Sequence, residues 1–313
     1  DIKRAPTLLG EADLIRQIQT MPGVTTVGEA ASGFNVRGGS VDQNLILYDG
    51  LQVFNSSHMF GFFSVFNTEA IRDVNFYRGA VPAEFGGRSS SVLDIRSKEG
   101  NYNNWEFSGG IGIISSNIMA SGPVVKNKTS VAASIRTTYS DWLLNTVRSN
   151  YLSLENSSVT FYDGSLKIGH IFNEKTKLVA SGYLSHDRFR LQGDSTFQWD
   201  TRMASVRLDH EFNKKLSGFF FAGIGTYSYD VSDEGVSSGF NLRYAITHPT
   251  FKVDFLYQPG QHKVSFGGQM IDYQFQPGEL IPASGQSIVR PVKMDTQRSQ
   301  EWAAYLTDDF EIM

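Results

Sequence analysis

Carboxylates, hydroxyls and histidines are the side chains with chemistry to offer in this chain, because it has no cysteine. That absence removes thiol nucleophiles, zinc–thiolate sites and disulfide scaffolds together, without excluding an oxidising compartment. The six histidines show no HxxH or HExxH spacing, so no metal pair on one helix face is expected. No nucleotide-binding loop and no ordered Ser/His/Asp set is read. Asp308 and Asp309 fall near the end of an alternating strand, where a wall or loop position is the ordinary reading and a glycosidase pair the lesser one. No catalytic residue, metal site or cofactor is expected. His58 is placed differently from the other histidines. It lies in segment 53–66 with Phe54, Met59, Phe60, Phe62, Phe63 and Phe66. Such a density of aromatics reads either as the core of a small domain or as an apolar surface facing a ligand. On the second reading Asn55, Ser56, Ser57 and His58 supply polar contacts, since pockets mix apolar walls with a few polar groups. Asp49-Gly50 reads as a turn in which the carboxylate bonds local backbone amides, with a metal role as the minor alternative.

Charge and hydropathy narrow the classes. The 313 residues carry 28 Lys+Arg against 32 Asp+Glu, a formal net charge of −4, and no basic block stands out. Nucleic-acid binding by phosphate neutralisation is therefore not expected. No run of 18 apolar residues exists, which rules out a membrane-spanning helix. The slightly negative mean hydropathy fits a soluble protein, and equally a closed β-barrel, whose strands alternate polar and apolar residues without a hydropathy peak.

The elements that must position these residues differ between the two parts of the chain. In residues 10–20, Leu14, Ile15 and Ile18 have helical spacing, and Pro22-Gly23 ends the pattern. Short mixed segments follow, punctuated by Gly38-Gly39, Asp49-Gly50, Gly79 and Gly86-Gly87. Residues 1–103 are thus expected to form a small α+β domain. From Asn104 onward, long runs alternate with period two. Ala204, Val206, Leu208 and Phe212 oppose Ser205, Arg207, Asp209 and Glu211; Phe251, Val253, Phe255 and Tyr257 oppose Lys252 and Asp254. Short polar connections near 126–128, 173–175, 213–215 and 259–261 alternate with longer ones at about 139–158, 188–197, 231–238 and 276–297. About ten strands of roughly 9–15 residues, with tight turns at one end and large loops at the other, favour a transmembrane barrel over a soluble sandwich. Residues 139–154 place Trp142, Leu143, Leu144 and Val147 at helical spacing, for a short amphipathic helix or a cap over the barrel mouth.

Three stretches then carry a resemblance. Residues 34–50 read FNVRGGSVDQNLILYDG, residues 57–66 read SHMFGFFSVF, and residues 69–95 read EAIRDVNFYRGAVPAEFGGRSSSVLDI. In this order and spacing they resemble the plug domain of TonB-dependent outer-membrane receptors. Residues 109–139 are similar to the plug-to-barrel crossover of Bacteroidota members. The SHMFGFFSVFN wording is similar to FecA-like receptors of that group and differs from the glycan-importing SusC type.

The resemblance implies an α+β plug domain at 1–103, followed at 104–313 by the first part of an antiparallel transmembrane β-barrel of about 22 strands. About ten strands cannot close around a folded plug, because barrel diameter grows with strand number. Asp1 is not an initiator Met and 302–313 reads as a strand without a closing turn, so the chain is expected to be a piece of a longer one. The implied function is capture of an extracellular ligand (siderophore-, cobalamin- or oligomer-like nutrient) and its import by energy-driven displacement of the plug. The implied partners are the TonB-ExbB-ExbD complex and the lipids of the bacterial outer membrane, with no nucleic acid. The alternative is a subunit of an outer-membrane complex that assembles with a lipoprotein or a secretion partner. Ligand contacts are expected from Phe54, Asn55, Ser56, His58, Met59, Phe60 and Phe62. By resemblance, plug arginines meet acidic residues of the barrel wall, so Arg37, Arg78, Glu84 and Arg88 are expected to form a plug–barrel lock. Gly38, Gly39 and Gly79, which follow the first two arginines, read more simply as turn residues.

Overall fold

The computed structural model describes residues 7–8, 11–27, 33–139, 157–190 and 195–310. The helical reading of 139–154 falls, apart from Tyr139, outside them. A short helix, α1 (Leu14–Gln19), begins where the Asp13 carboxylate accepts the Arg16 N–H at 2.9 Å, and it buries Leu14, Ile15 and Ile18. The domain it belongs to is built on a four-stranded sheet of β1 (Asn44–Tyr48), β2 (Leu51–Gln52), β3 (Ile71–Tyr77) and β4 (Ser91–Ser97), in the order β2-β1-β4-β3. β1 and β4 run parallel, with Asn44 beside Ser91 and Tyr48 beside Ile95. The connection between them is long enough to return the chain, as a parallel pair requires.

The rest of the chain is an antiparallel meander. Its strands are β5 (Glu106–Ile111), β6 (Ser115–Val125), β7 (Thr129–Thr138), β8 (Ser158–Asn173), β9 (Thr176–Arg190), β10 (Thr196–Asn213), β11 (Leu216–Asp233), β12 (Phe240–Tyr257), β13 (His262–Pro282) and β14 (Gln297–Phe310). Each pairs with the next, and the two-residue strand Val292–Lys293 pairs beside Glu279 and Leu280. The strands run to 21 residues, longer than the alternation alone predicts. The turns at 126–128, 173–175 and 213–215 are as short as expected. The connection predicted at 276–297 is shorter, because β13 continues to Pro282 in register with β12, where Phe240 pairs with Pro282.

Period two sorts the wall into two faces. Ile118, Ile135, Leu166, Leu184, Val206, Ile224, Phe251 and Leu306 are exposed on the outer face. On β8 the outward apolar stretch runs from Tyr162 to Phe172. The ten steps between them, at about 3.3 Å each and tilted by about 40°, make a band of about 25 Å, the height of a barrel's lipid-facing surface. The inner face carries Tyr183, Met203 and Phe221. These three join Leu14, Ile15, Phe34, Val36, Tyr48, Leu51, Leu93 and Ile95 in one continuous core. The N-terminal domain is thus seated against the concave side of the wall and shares its core with it.

Candidate functional site

At the seam between domain and wall lies a buried set of charges. His58 is fully buried. Its Nδ1 is 2.7 Å from Asp187 Oδ2 of β9, and its Nε2 is 3.3 Å from Asp163 Oδ2 of β8. Arg136 of β7, also fully buried, donates through Nε to the same Asp163 oxygen at 2.6 Å and through Nη2 to the Ser64 carbonyl at 2.8 Å. The Met59 N–H donates to Asp187 Oδ1 at 3.1 Å. The His58 ring stacks on Phe161, with centroids 4.1 Å apart and planes 9° from parallel. Burial works against the charged imidazole, but the Asp187 and Asp163 carboxylates outweigh it and raise the pKa above its ordinary value. Nearby, the Tyr183 hydroxyl donates to the Val65 carbonyl at 2.9 Å.

A second contact joins Asp49 to Lys167 of β8. The Lys167 Nζ donates to Asp49 Oδ1 at 2.7 Å and to the Ser97 carbonyl at 3.0 Å. Asp49 is in a turn, as expected, but its amide and hydroxyl donors come from Ser97, 48 residues on, and not from local backbone. Lys177 of β9 pairs with Glu99. Among these contacts the wall supplies the strong cations, while the domain supplies Asp49 and Glu99.

That polarity differs from the expected lock. Arg78 donates to the Pro22 carbonyl at 2.6 Å, within its own domain. Arg37, at φ 50°, is exposed and lies over Gly79. Among the described residues, no ion pair joins either arginine to a wall carboxylate. Glu84 and Arg88 do face the wall. With Arg96, Arg207 and Glu301 they border a cavity of about 270 Å³ between the domain's sheet and the inner wall.

The aromatic segment is also divided. His58 belongs to the buried seam and not to a ligand-facing surface, because both ring nitrogens are occupied by carboxylates. Met59 packs beside Phe63, Ile114 and Phe161. Asn55 accepts from Ser57 at 3.0 Å, and the Ser56 carbonyl accepts the Val65 N–H at 3.1 Å. Phe62 is 46% exposed. Nothing is described of the Phe60 side chain. Phe54 reaches the wall, edge-on to His248 with centroids 5.2 Å apart.

Above Phe54 the inner wall is aromatic. His248 is followed by Tyr273, 6.4 Å away, and Tyr273 by Phe275 at 5.8 Å. Tyr273 donates to Gln52 of the domain at 3.2 Å. On the same face Trp199, Tyr229 and Tyr244 form a row on β10, β11 and β12, with spacings of 5.6 and 6.2 Å. Gly225 makes room for the His248 ring, since a Cβ there would collide with it. These residues share the inner face of the wall, and Phe54 of the domain stands against it at His248. The signal for them is in the sequence but is easily passed over. Along β10 the apolar residues from 204 to 212 take even positions, whereas Phe197 and Trp199 take odd ones. Along β11, Phe220 and Ile224 are even whereas Tyr227 and Tyr229 are odd. The apolar face switches from outside to inside where the strand leaves the outer band.

Gly235-Val236-Ser237-Ser238-Gly239 has the spelling of a serine-hydrolase elbow. It joins two antiparallel strands, β11 and β12, and so lacks the strand-to-helix turn that exposes such a nucleophile. Among the described residues, no group of three or more His, Cys, Asp or Glu is arranged to hold a metal ion.

Comparison with known proteins bears on the whole assembly. Residues 8–92 match the family described as TonB-dependent Receptor Plug Domain. None of the curated proteins compared matches the chain. Among solved structures, the siderophore receptor PirA from Acinetobacter baumannii is 16% identical with a TM-score of 0.69, over 96% of this chain and 52% of that one. A mutant of the ferric enterobactin receptor PfeA from Pseudomonas aeruginosa is 16% identical with a TM-score of 0.69, over 99% and 54%. The outer membrane transporter YddB from Escherichia coli is 13% identical with a TM-score of 0.68, over 99% and 53%. At these identities the likeness is one of fold, and the chain spans about half the length of those proteins.

Proposed function

We propose that this chain, whose residues 8–92 are a TonB-dependent receptor plug and whose later strands take the fold of such a receptor's barrel wall, is the N-terminal part of a bacterial outer-membrane importer. One observation carries the reading. The plug is seated on an inner face that mixes Tyr183, Met203 and Phe221 with buried Arg136, Asp163, Lys167 and Asp187, in a wall whose outer face exposes apolar residues strand after strand. A wall of that kind has lipid outside and a lumen inside, and a domain in the lumen closes the path.

On this reading the aromatic inner face of His248, Trp199, Tyr229, Tyr244 and Tyr273, with Phe54 against it, is the vestibule that receives the ligand. Its rings offer flat apolar area with few rotamers to freeze, which suits a rigid, partly aromatic molecule. Siderophores, the ligand class named for PirA, are the first class to test; cobalamin and oligomeric nutrients follow. The energy to displace the plug comes from TonB and its inner-membrane partners. The wording of residues 57–67 supports the narrower reading of a FecA-like receptor of the Bacteroidota.

The test uses the full-length protein. It should fractionate with the outer membrane and migrate faster on a denaturing gel before boiling than after. Its deletion should slow growth under iron limitation, and Trp199→Ala with Tyr229→Ala should lower uptake at least tenfold without changing the gel shift. Equal growth and uptake with and without the protein, under iron and cobalamin limitation alike, would remove both ligand classes.

A further inference from the structure

The segment 54–64 joins the vestibule to the buried charges. Phe54 touches His248 in the vestibule. Four residues on, His58 places one ring nitrogen against each of two wall carboxylates. Met59 then holds φ at 52°, a conformation unusual for a side chain with a Cβ, while its N–H bonds the second oxygen of Asp187. Contacts from the wall therefore hold this backbone in a shape it would not keep alone.

The protonation state follows from donors and acceptors. A carboxylate only accepts, and a neutral imidazole carries one N–H and one lone pair. With carboxylate oxygens at both nitrogens, the neutral ring would turn its lone pair toward one of them. Only the imidazolium donates to both. The charges agree. Counting these described groups, Arg136 and an imidazolium match Asp163 and Asp187, whereas a neutral ring leaves two carboxylates facing one cation. Among the described residues, the other charged groups bonded to this segment are Asp13 and Arg16. Asp13 accepts from the Ser64 N–H and Arg16 donates to the Phe62 carbonyl.

We propose that His58 is the positioning residue of plug release: as an imidazolium it latches segment 54–64 to Asp163 and Asp187, and loss of its proton opens the latch. The inference rests on the importer reading and deepens it, since movement of Phe54 under a ligand pulls on the same latch four residues away. The sign is set by the raised pKa of the docked ring. Docking by His58 is complete below the ordinary imidazole value of about 6.5 and is lost as pH rises through the higher docked value.

Hydrogen exchange on the full-length protein in detergent tests this, with protection factors corrected for intrinsic rates. Protection of 53–66 should fall at least tenfold as pH rises from about 6 to about 9. Residues 91–97, held by Asp49 and Lys167, should keep theirs. His58→Gln should give low protection at every pH, and Asp187→Asn should move the midpoint to lower pH. If His58→Gln does not reach the heat-modifiable form, Asp187→Asn carries the test. A pH-independent wild type, a wild-type profile in His58→Gln, or an unmoved midpoint in Asp187→Asn would each overturn the proposal. Failure of the importer reading would look different: no uptake, with the pH profile intact.

Discussion

Asp49 and Gly50 show how much one turn can carry. Both have positive φ, 48° and 86°, and a Cβ on Gly50 would stand 3.3 Å from the Phe221 ring. Glycine is needed twice here, for the dihedral and for the close approach. Gly50→Ala should destabilise docking by about 1–2 kcal/mol, measured as faster proteolysis of the plug in the folded full-length protein. On the other side of the turn, Lys167 neutralises Asp49. Lys167→Met leaves a largely buried carboxylate with only the Ser97 donors, and breaking such a pair costs about 3–5 kcal/mol. Adding Asp49→Asn should recover a large part of that loss. Purely additive losses in the two single variants and the double variant would show that the two groups do not interact. None of these partners is close in the sequence: Asp49 and Lys167 are 118 residues apart, and His58 and Asp187 are 129 apart. Residue types marked these positions as interesting, but only docking assigned their partners: the described seam pairs wall Lys167 and Lys177 with plug carboxylates and plug His58 with wall carboxylates, while the lock of Arg37, Arg78, Glu84 and Arg88 stays a proposal.

At the scale of the strand, the informative quantity is parity. A wall strand must present apolar side chains to lipid in its middle and aromatic ones to the lumen beyond it, so the apolar set changes face along one strand. Leu166 lies near the centre of the outward band on β8, between Tyr162 and Phe172. Leu166→Arg should cost about 2–4 kcal/mol of folding stability in lipid vesicles, read as loss of the heat-modifiable form in a urea titration. Ser165→Thr, one residue away on the inner face, should change little. Equal effects at both positions would contradict the assignment of faces. Helix α1, the tight turns and the alternating strands were all readable locally, because capping, turn chemistry and period two act over a few residues. Strand ends were not, because pairing with a neighbour extends β13 through residues that look like a loop in isolation.

The whole molecule is held by a core that crosses its own domain boundary. Tyr183, Met203 and Phe221 of the wall pack with Tyr48, Leu51 and Leu93 of the plug. A plug cut free loses those partners and its cations at one stroke. Residues 1–103 expressed alone should therefore keep secondary structure but lose near-ultraviolet circular dichroism, the mark of loosened side-chain packing. Persistent near-ultraviolet signal would show that the wall contributes nothing to the plug core. On the proposed importer reading the same joint core matters for transport, since displacement of the plug would separate apolar contacts and buried ion pairs together. A latch that responds to protonation lowers part of that barrier without loosening the rest.

The sequence by itself determined the plug motifs, the helix, the turn series and the period-two faces, since each rests on local geometry or on an ordered run of residues. Tertiary structure alone decided that His58 is buried between two carboxylates, that Arg78 bonds the Pro22 carbonyl of its own domain, and that Trp199, Tyr229 and Tyr244 stand in one row on the inner face of the wall. The reason is physical. Burial and ion pairing are properties of two surfaces brought together, and no spacing along one strand records which residue of a distant segment will stand opposite.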